Sequence, residues 1–350
     1  MRLEQIKEIA NAVLYEGYLL YPYRHSAIKN RQRWTFGVVY PEEYSEAQGS
    51  TEPWTMQTEC LVQGNADTAI TVHVRFLHLL LRTEIPHETA NVSAQPEAAP
   101  RVDWSLAGYL ANEPWEEGIE REVTTCDLSL NDLVAQPRIL DIDCPGGRSS
   151  EHPADTPGAT IVREHQVLAG RVVIAAAQVD KDTYKLCIQI ENRTGDIDEA
   201  ASRYPAILRR SFISTHTILQ VQRGTFISLL EPPEELQPAV QNCRNLHTWP
   251  VLVGNEGDHD AMLSSPIILY DYPRLAPESP GALFDGTEID EILTLRIMTL
   301  TDEEKQEMRQ GDERAREILE RTEALTPEAF MKMHGTIRGI KPVDEGVEHE

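Results

Sequence analysis

Two alternating runs joined by three polar residues constrain this chain more than any other feature. In TYKLCIQIENRT (183–194), Tyr184, Leu186, Ile188 and Ile190 fall on one side, and Lys185, Cys187, Gln189 and Glu191 on the other. A period of two belongs to a strand with one buried face. VLAGRVVIAAAQV (167–179) precedes it across the polar turn Asp180-Lys181-Asp182, so the pair reads as an antiparallel hairpin. The same alternation recurs in TAITVHVRF (68–76). Ile70, Val72, Val74 and Phe76 alternate there with Thr71, His73 and Arg75. That predicts a half-buried strand with His73 on its surface side.

Other segments extend the β reading. RWTFGVVYP, TMQTECLV and GIEREVTTCDLSL are strand-like, whereas RRSFISTHTILQVQ is ambiguous between strand and helix. Residues 83–103 are polar and proline-rich and read as a loop, as does 143–160, the best internal boundary. At the N-terminus, Leu3, Ile6, Ile9, Ala10, Val13 and Leu14 share one helical face, and Gly17 is a stop signal. SSPIILYDYPRLAPESPGALFDG reads as a short buried strand followed by a proline-punctuated loop.

From Thr287 the pattern is helical, with a stripe of Ile289, Ile292, Leu293, Ile297 and Leu300. Thr301 and Glu304 are spaced as a capping box, and Thr326 with Pro327 starts a last helix that Gly335 stops. The expected fold is α+β: a large antiparallel β-sandwich, an N-terminal helix and a C-terminal helical segment. Its parts are 1–142, the 143–160 loop, 161–286 as more of the same sandwich, helices in 287–336, and an acidic tail at 337–350.

Charge narrows the functions. Against 57 acids stand 32 lysines and arginines, a net of −25. Such a chain repels nucleic-acid phosphates, so a protein partner is expected instead. Apolar runs fall short of the roughly 18–20 residues a membrane helix needs. The charged N-terminus lacks the features of a signal peptide, which places the chain in the cytoplasm. Five scattered cysteines without a C-x-x-C read as reduced thiols, with Cys60 and Cys126 in strand-like, core-forming runs.

No G-x-G-x-x-G, P-loop, G-x-S-x-G, H-E-x-x-H or EF-hand loop occurs, so the reading leans away from an enzyme and names no catalytic residue and no cofactor. One metal reading stands as an alternative. Cys243 and His247 are spaced i, i+4, and Asp258, His259 and Asp260 follow, which are suitable ligand types for a transition metal. A metal-dependent enzyme or metal-delivery protein would use this Cys243–His259 region. The bland counterpart is a partly buried Cys243 and a solvated acidic turn.

The stretch YEGYLLYPYRHSAIKNRQRWTFG (15–37) is basic within an acidic chain. Residues 1–40 carry six lysines and arginines against three acids, a net of +3. Tyr23, Arg24, Lys29, Arg31 and Arg33 are the candidate partner-binding residues, since aromatic rings and guanidinium forks recognise acidic segments. The alternative is a loop whose cations pair with this chain's own carboxylates and whose Tyr18, Tyr21 and Trp34 pack inward.

This stretch and SSPIILYDYPRLAPESPGALFDGTEIDEILTLRIMTLTDEEKQEM resemble an uncharacterised bacterial family associated with gene clusters for actinobacterial-type, high-affinity [NiFe]-hydrogenases. The resemblance spans most of the chain and brings no catalytic residues with it. It implies a non-catalytic accessory or assembly factor in hydrogenase maturation, whose partners are hydrogenase subunits or other maturation proteins.

Overall fold

A computed structural model of the chain describes residues 2–15, 23, 36–86, 115–152, 159–274, 290–310 and 313–326. Helices α1 (Arg2–Leu14) and α2 (Glu42–Ala47) precede the 32-residue strand β1 (Thr55–Pro86). Then come β2 (Trp115–Ser129), α3 (Leu130–Ala135), β3 (Arg138–Cys144), β4 (Gly147–Glu151), β5 (Ala159–His165), β6 (Leu168–Asp180), β7 (Thr183–Asn192) and β8 (Ile213–Phe226). After α4 (Gln237–Gln241) follow β9 (Trp249–Leu252), β10 (Ala261–Ser265), α5 (Asp290–Met298), α6 (Asp302–Gln310) and α7 (Glu313–Glu323). Contacts separate a sheet-bearing unit, within 1–18 and 32–274, from a helical unit, within 19–31 and 275–350.

The sheet unit departs from the expected sandwich. Its strands form one open, ten-stranded antiparallel sheet in the order β3-β6-β7-β1-β8-β10-β9, with β2 and β5 also on β1 and β4 on β5. The reason is the length of β1. Thr55–Gln63 pairs with β7, Ala69–Arg82 with β2, Val62–Leu77 with β8, and Leu80–Pro86 with β5. A single strand thus joins ladders that would otherwise belong to separate sheets. TMQTECLV and TAITVHVRF, read separately in the sequence, are two halves of it.

β1 is irregular between those halves. The register runs from Gly64↔Gly224 to Ala69↔Gln222, so four residues of β1 oppose one of β8. The Thr68 hydroxyl accepts from Asn65 N at 2.8 Å and donates to the Arg223 carbonyl at 2.6 Å. A Cβ at Gly64 would lie 2.3 Å from the Thr68 hydroxyl oxygen, so only glycine fits. Residues before this bulge (Met56, Cys60, Val62) and after it (Ile70, Val72, Val74, Phe76) enter the same core. There they meet Val172 and Ile174 of β6 and Leu186, Ile188 and Ile190 of β7, as the alternation requires. Phe76 and Phe212 stack at 4.5 Å between ring centroids, a pair worth about 0.5–1.5 kcal/mol beyond its buried area.

The other face is not left to water. α1 lies on it, packing Ile6, Ala10 and Val13 with Ile218, Val251 and Leu263. His73, expected at the surface, is therefore buried, and so is Arg75 (6% and 4% exposed). Alternation identifies two faces; it does not say which is covered.

Several boundaries also differ from expectation. The supposed 143–160 loop contains β4, because Gly147–Glu151 needs only its backbone to pair with β5. Residues 83–86 continue β1, and RRSFISTHTILQVQ resolves as β8. RWTFGVVYP contributes only the single bridge Val39↔Phe212 among its described residues. Cys60 is in the core as expected, but Cys126 is exposed near the end of β2.

In the helical unit the capping box forms: Thr301 N donates to Glu304 Oε2 at 2.9 Å, and Glu304 N to Thr301 Oγ1 at 3.2 Å. α7 packs against α5 and α6, and Arg309 on α6 reaches both oxygens of Glu323 at 2.9 Å. The apolar stripe of α5 divides. Leu293, Ile297 and, just past the helix, Leu300 are buried and Ile292 is exposed, while Ile289 lies outside the described residues; off the stripe, Leu295 and Met298 are exposed.

Candidate functional site

Among the described residues of the sheet unit, 266–272, leaving the end of β10, present the most exposed large apolar side chains. Ile268 is 73% and Tyr270 86% exposed, while their neighbours Ile267 and Leu269 pack against the cluster beneath α1. Single exposed apolar residues are ordinary on protein surfaces. This ribbon differs in being fixed at both ends. Ser265 Oγ donates to the Ile267 carbonyl at 2.6 Å. Past Tyr270, the Asp271 carboxylate accepts from Ser228 Oγ at 2.5 Å and Leu252 N at 2.7 Å. Tyr272 N then donates to the Leu252 carbonyl at 2.7 Å, and its hydroxyl to the Asp258 carbonyl at 3.0 Å. Trp249, itself exposed, is the register partner of Ser265 at the root of the ribbon. A partner that docks here meets an ordered apolar edge, so little ordering entropy opposes binding.

The residues singled out from sequence fare differently. Tyr23 is buried (1% exposed), so its ring is not presented to a partner. Arg24, Lys29, Arg31 and Arg33 lie outside the described residues, as do Tyr18, Tyr21 and Trp34.

The metal alternative finds its residues engaged elsewhere. Cys243 packs beside Leu61, Ile227 and Leu236, and its thiol faces the Ala239 carbonyl at 3.7 Å. Burial, and then the Glu59 carboxylate, push that thiol up to about 11. Asp258 accepts from Asn255 N at 2.9 Å and Nδ2 at 3.0 Å, and His259 Nδ1 sits 3.1 Å from the Phe226 carbonyl. His247 is an exposed residue at positive φ. Among the described residues no three His, Cys, Asp or Glu side chains are grouped to hold a metal ion.

One polar cluster escaped the sequence reading. The register sets His216 of β8, Arg75 of β1 and Glu122 of β2 in one cross-strand row, with His73 opposite Thr124 in the next. His73 Nδ1 is 2.8 Å from Glu122 Oε1 and 3.0 Å from Thr124 Oγ1. Arg75 donates to Asn11 Oδ1 at 2.7 Å and to Glu120 at 3.3 Å. From α1, Lys7 reaches Glu122 at 3.2 Å and the Tyr15 hydroxyl reaches Glu120 at 2.5 Å. Burial alone would raise the Glu122 carboxyl; hydrogen bonds from His73, Thr124 and Lys7 outweigh it and hold it below its ordinary value. His216 is pushed down to about 4, chiefly by burial and further by Arg75. This network ties α1 to the sheet and favours the ionised form of Glu122. The missed signal was the pair of acids two apart in GIEREVTT, Glu120 and Glu122, which a strand places on one face.

No helix among the described residues is long and apolar enough to cross a membrane. No family model and no curated protein matches the chain.

Proposed function

We propose that this chain is a non-catalytic accessory or assembly factor that acts by binding proteins, most specifically hydrogenase subunits or other maturation proteins of a [NiFe]-hydrogenase. The observation that carries the protein-binding reading is the anchored ribbon, with Ile268 and Tyr270 held outward over a packed base. Interfaces concentrate aromatic and apolar anchors in this way, and Tyr is among the residues enriched at hot spots. The ribbon falls within one of the two stretches that carry the hydrogenase-associated resemblance, which supplies the identity of the partners. The strong negative charge suits a partner with a basic rim.

The polar clusters support the same reading. In the His73 network the acids are matched by cations of the chain itself, so the cluster is spent on fastening α1. The test is affinity purification of the tagged full chain from a host expressing the hydrogenase, with the eluate identified by mass spectrometry. Stoichiometric recovery of a hydrogenase subunit or maturation protein is the expected result. Recovery of the chain alone, under conditions where the hydrogenase matures, would refute the reading.

A further inference from the structure

The far end of β1 forms a second chemical feature, on the same strand face as His73 and Arg75 but beyond α1. A cavity of about 220 Å³ opens there over Leu81 and Ile85 of β1 and Val162 of β5. It is smaller than the ~300–1,000 Å³ typical of sites for drug-sized ligands. Three arrangements define its chemistry. The floor is largely apolar, with Thr83 between Leu81 and Ile85 its one polar side chain. Arg148 of β4 and Glu164 of β5 are register partners on its rim, and Glu164 is also the partner of Leu81. Neither Arg148 nor Glu164 forms an ion pair with any described residue, in a chain where acids outnumber bases 57 to 32. The remaining charge, Arg209, arrives from the turn before β8 and is fixed by Glu116 at 3.1 Å. Glu116 is in turn the β2 partner of Leu81, so Arg209 is drawn to the cavity's edge by the same cross-strand row.

The charges therefore cancel as a set while leaving one cation and one anion unmatched beside an apolar floor. A simple carboxylate would meet Glu164 unfavourably, and a simple amine would meet Arg148. A molecule carrying both charges and a short hydrocarbon body satisfies all three. We propose that this cavity binds a small apolar zwitterion, an aliphatic α-amino acid. Its carboxylate would sit toward Arg148 and Arg209, its ammonium toward Glu164, and its side chain on Leu81, Ile85 and Val162. Gln166, which donates to Glu164 Oε1 at 3.3 Å, holds that carboxylate in orientation. The inference stands apart from the protein-binding reading.

Calorimetric titration of the full chain tests it, with L-leucine, 4-methylpentanoate and 3-methylbutylamine as probes. L-leucine binds, and each half-ligand binds at least about tenfold more weakly, the scale of one lost charge-assisted hydrogen bond. Arg148→Gln and Glu164→Gln each weaken L-leucine by a similar factor, with unchanged thermal melts because both side chains are exposed. Arg148→Gln strengthens the amine's binding and Glu164→Gln the carboxylate's, because each removes the like charge that opposed that half-ligand. Three results overturn the proposal: no binding of L-leucine to the wild type at millimolar concentration, a carboxylate that binds as well as the amino acid, or full L-leucine affinity in both variants.

Discussion

His73 Nδ1 and Glu122 Oε1 face each other at 2.8 Å across neighbouring strands, beneath a helix that begins the chain. Glu122 also meets Lys7 of that helix and lies 3.7 Å from Arg75 Nε. It is therefore the acid on which α1, β1 and β2 converge. Glu122→Gln removes the charge and keeps the shape. With the carboxylate about one-third exposed, solvent moderates the loss, and a destabilisation of about 1–2 kcal/mol is expected. Urea unfolding measures it. Glu120→Gln, on a more exposed side chain, should cost less.

Acid should weaken the fold through its buried imidazoles. His216 and His78 are both held near pKa 4, chiefly by burial, against a usual value of 6.5. The unfolded chain takes up these protons first. Stability is therefore complete above about pH 6.5 and falls as the pH drops toward 4, by about 2–3 kcal/mol per histidine at pH 4.5. His216→Gln keeps a donor for the Ser214 carbonyl, which His216 Nδ1 meets at 2.9 Å, but cannot titrate. Its unfolding free energy should depend less steeply on pH between 6.5 and 4.5 than the wild type's. Equal slopes would show that His216 titrates normally in the folded state.

Thiol labelling should follow exposure. Cys126 is the exposed cysteine, and Cys60 is fully buried. Burial, and then Glu59, push Cys187 and Cys243 up to about 11, so both remain protonated at neutral pH and react slowly. With iodoacetamide at pH 7.5, Cys126 is modified first and Cys60 only on unfolding. Mass spectrometry of a time course reads the order.

The capping box of α6 gives a local test. Thr301→Ala leaves Glu304 N without its side-chain partner and should destabilise the helix by about 1 kcal/mol. Amide exchange should quicken in the first turn of α6 and stay unchanged in β6 and β7.

These residues also show how far the sequence could be read. Periodicity located the β6–β7 hairpin, and identified Ile70, Val72 and Val74 as core, because a pleated strand with one buried face imprints that pattern directly. It could not reveal that β1 is one strand of 32 residues, since the bulge at Gly64–Ala69 interrupts the alternation with polar residues. Nor could it reveal that His73 and Arg75 are buried. Their cover comes from α1 and their countercharges from β2, both distant in sequence, and local patterning carries no information about either. The ribbon was read as a short buried strand, but β10 ends at Ser265 and Ile268 and Tyr270 are exposed. Which of Ile267, Ile268, Leu269 and Tyr270 faces outward depends on hydrogen bonds donated by Ser265 and Tyr272 and accepted by Asp271.

The protein-binding reading is tested most directly at that ribbon. The double variant Ile268→Ser, Tyr270→Ser removes the two outward side chains and leaves the partly buried Ile267 and Leu269 in place. Its melting temperature should match the wild type's, because exposed substitutions usually change stability by less than about 0.5 kcal/mol. Its affinity for the hydrogenase subunit or maturation protein recovered with the wild type should fall at least about tenfold, as expected when interface anchors are lost. A double variant that folds normally and binds that protein as tightly as the wild type would contradict the assignment of the ribbon as the docking surface.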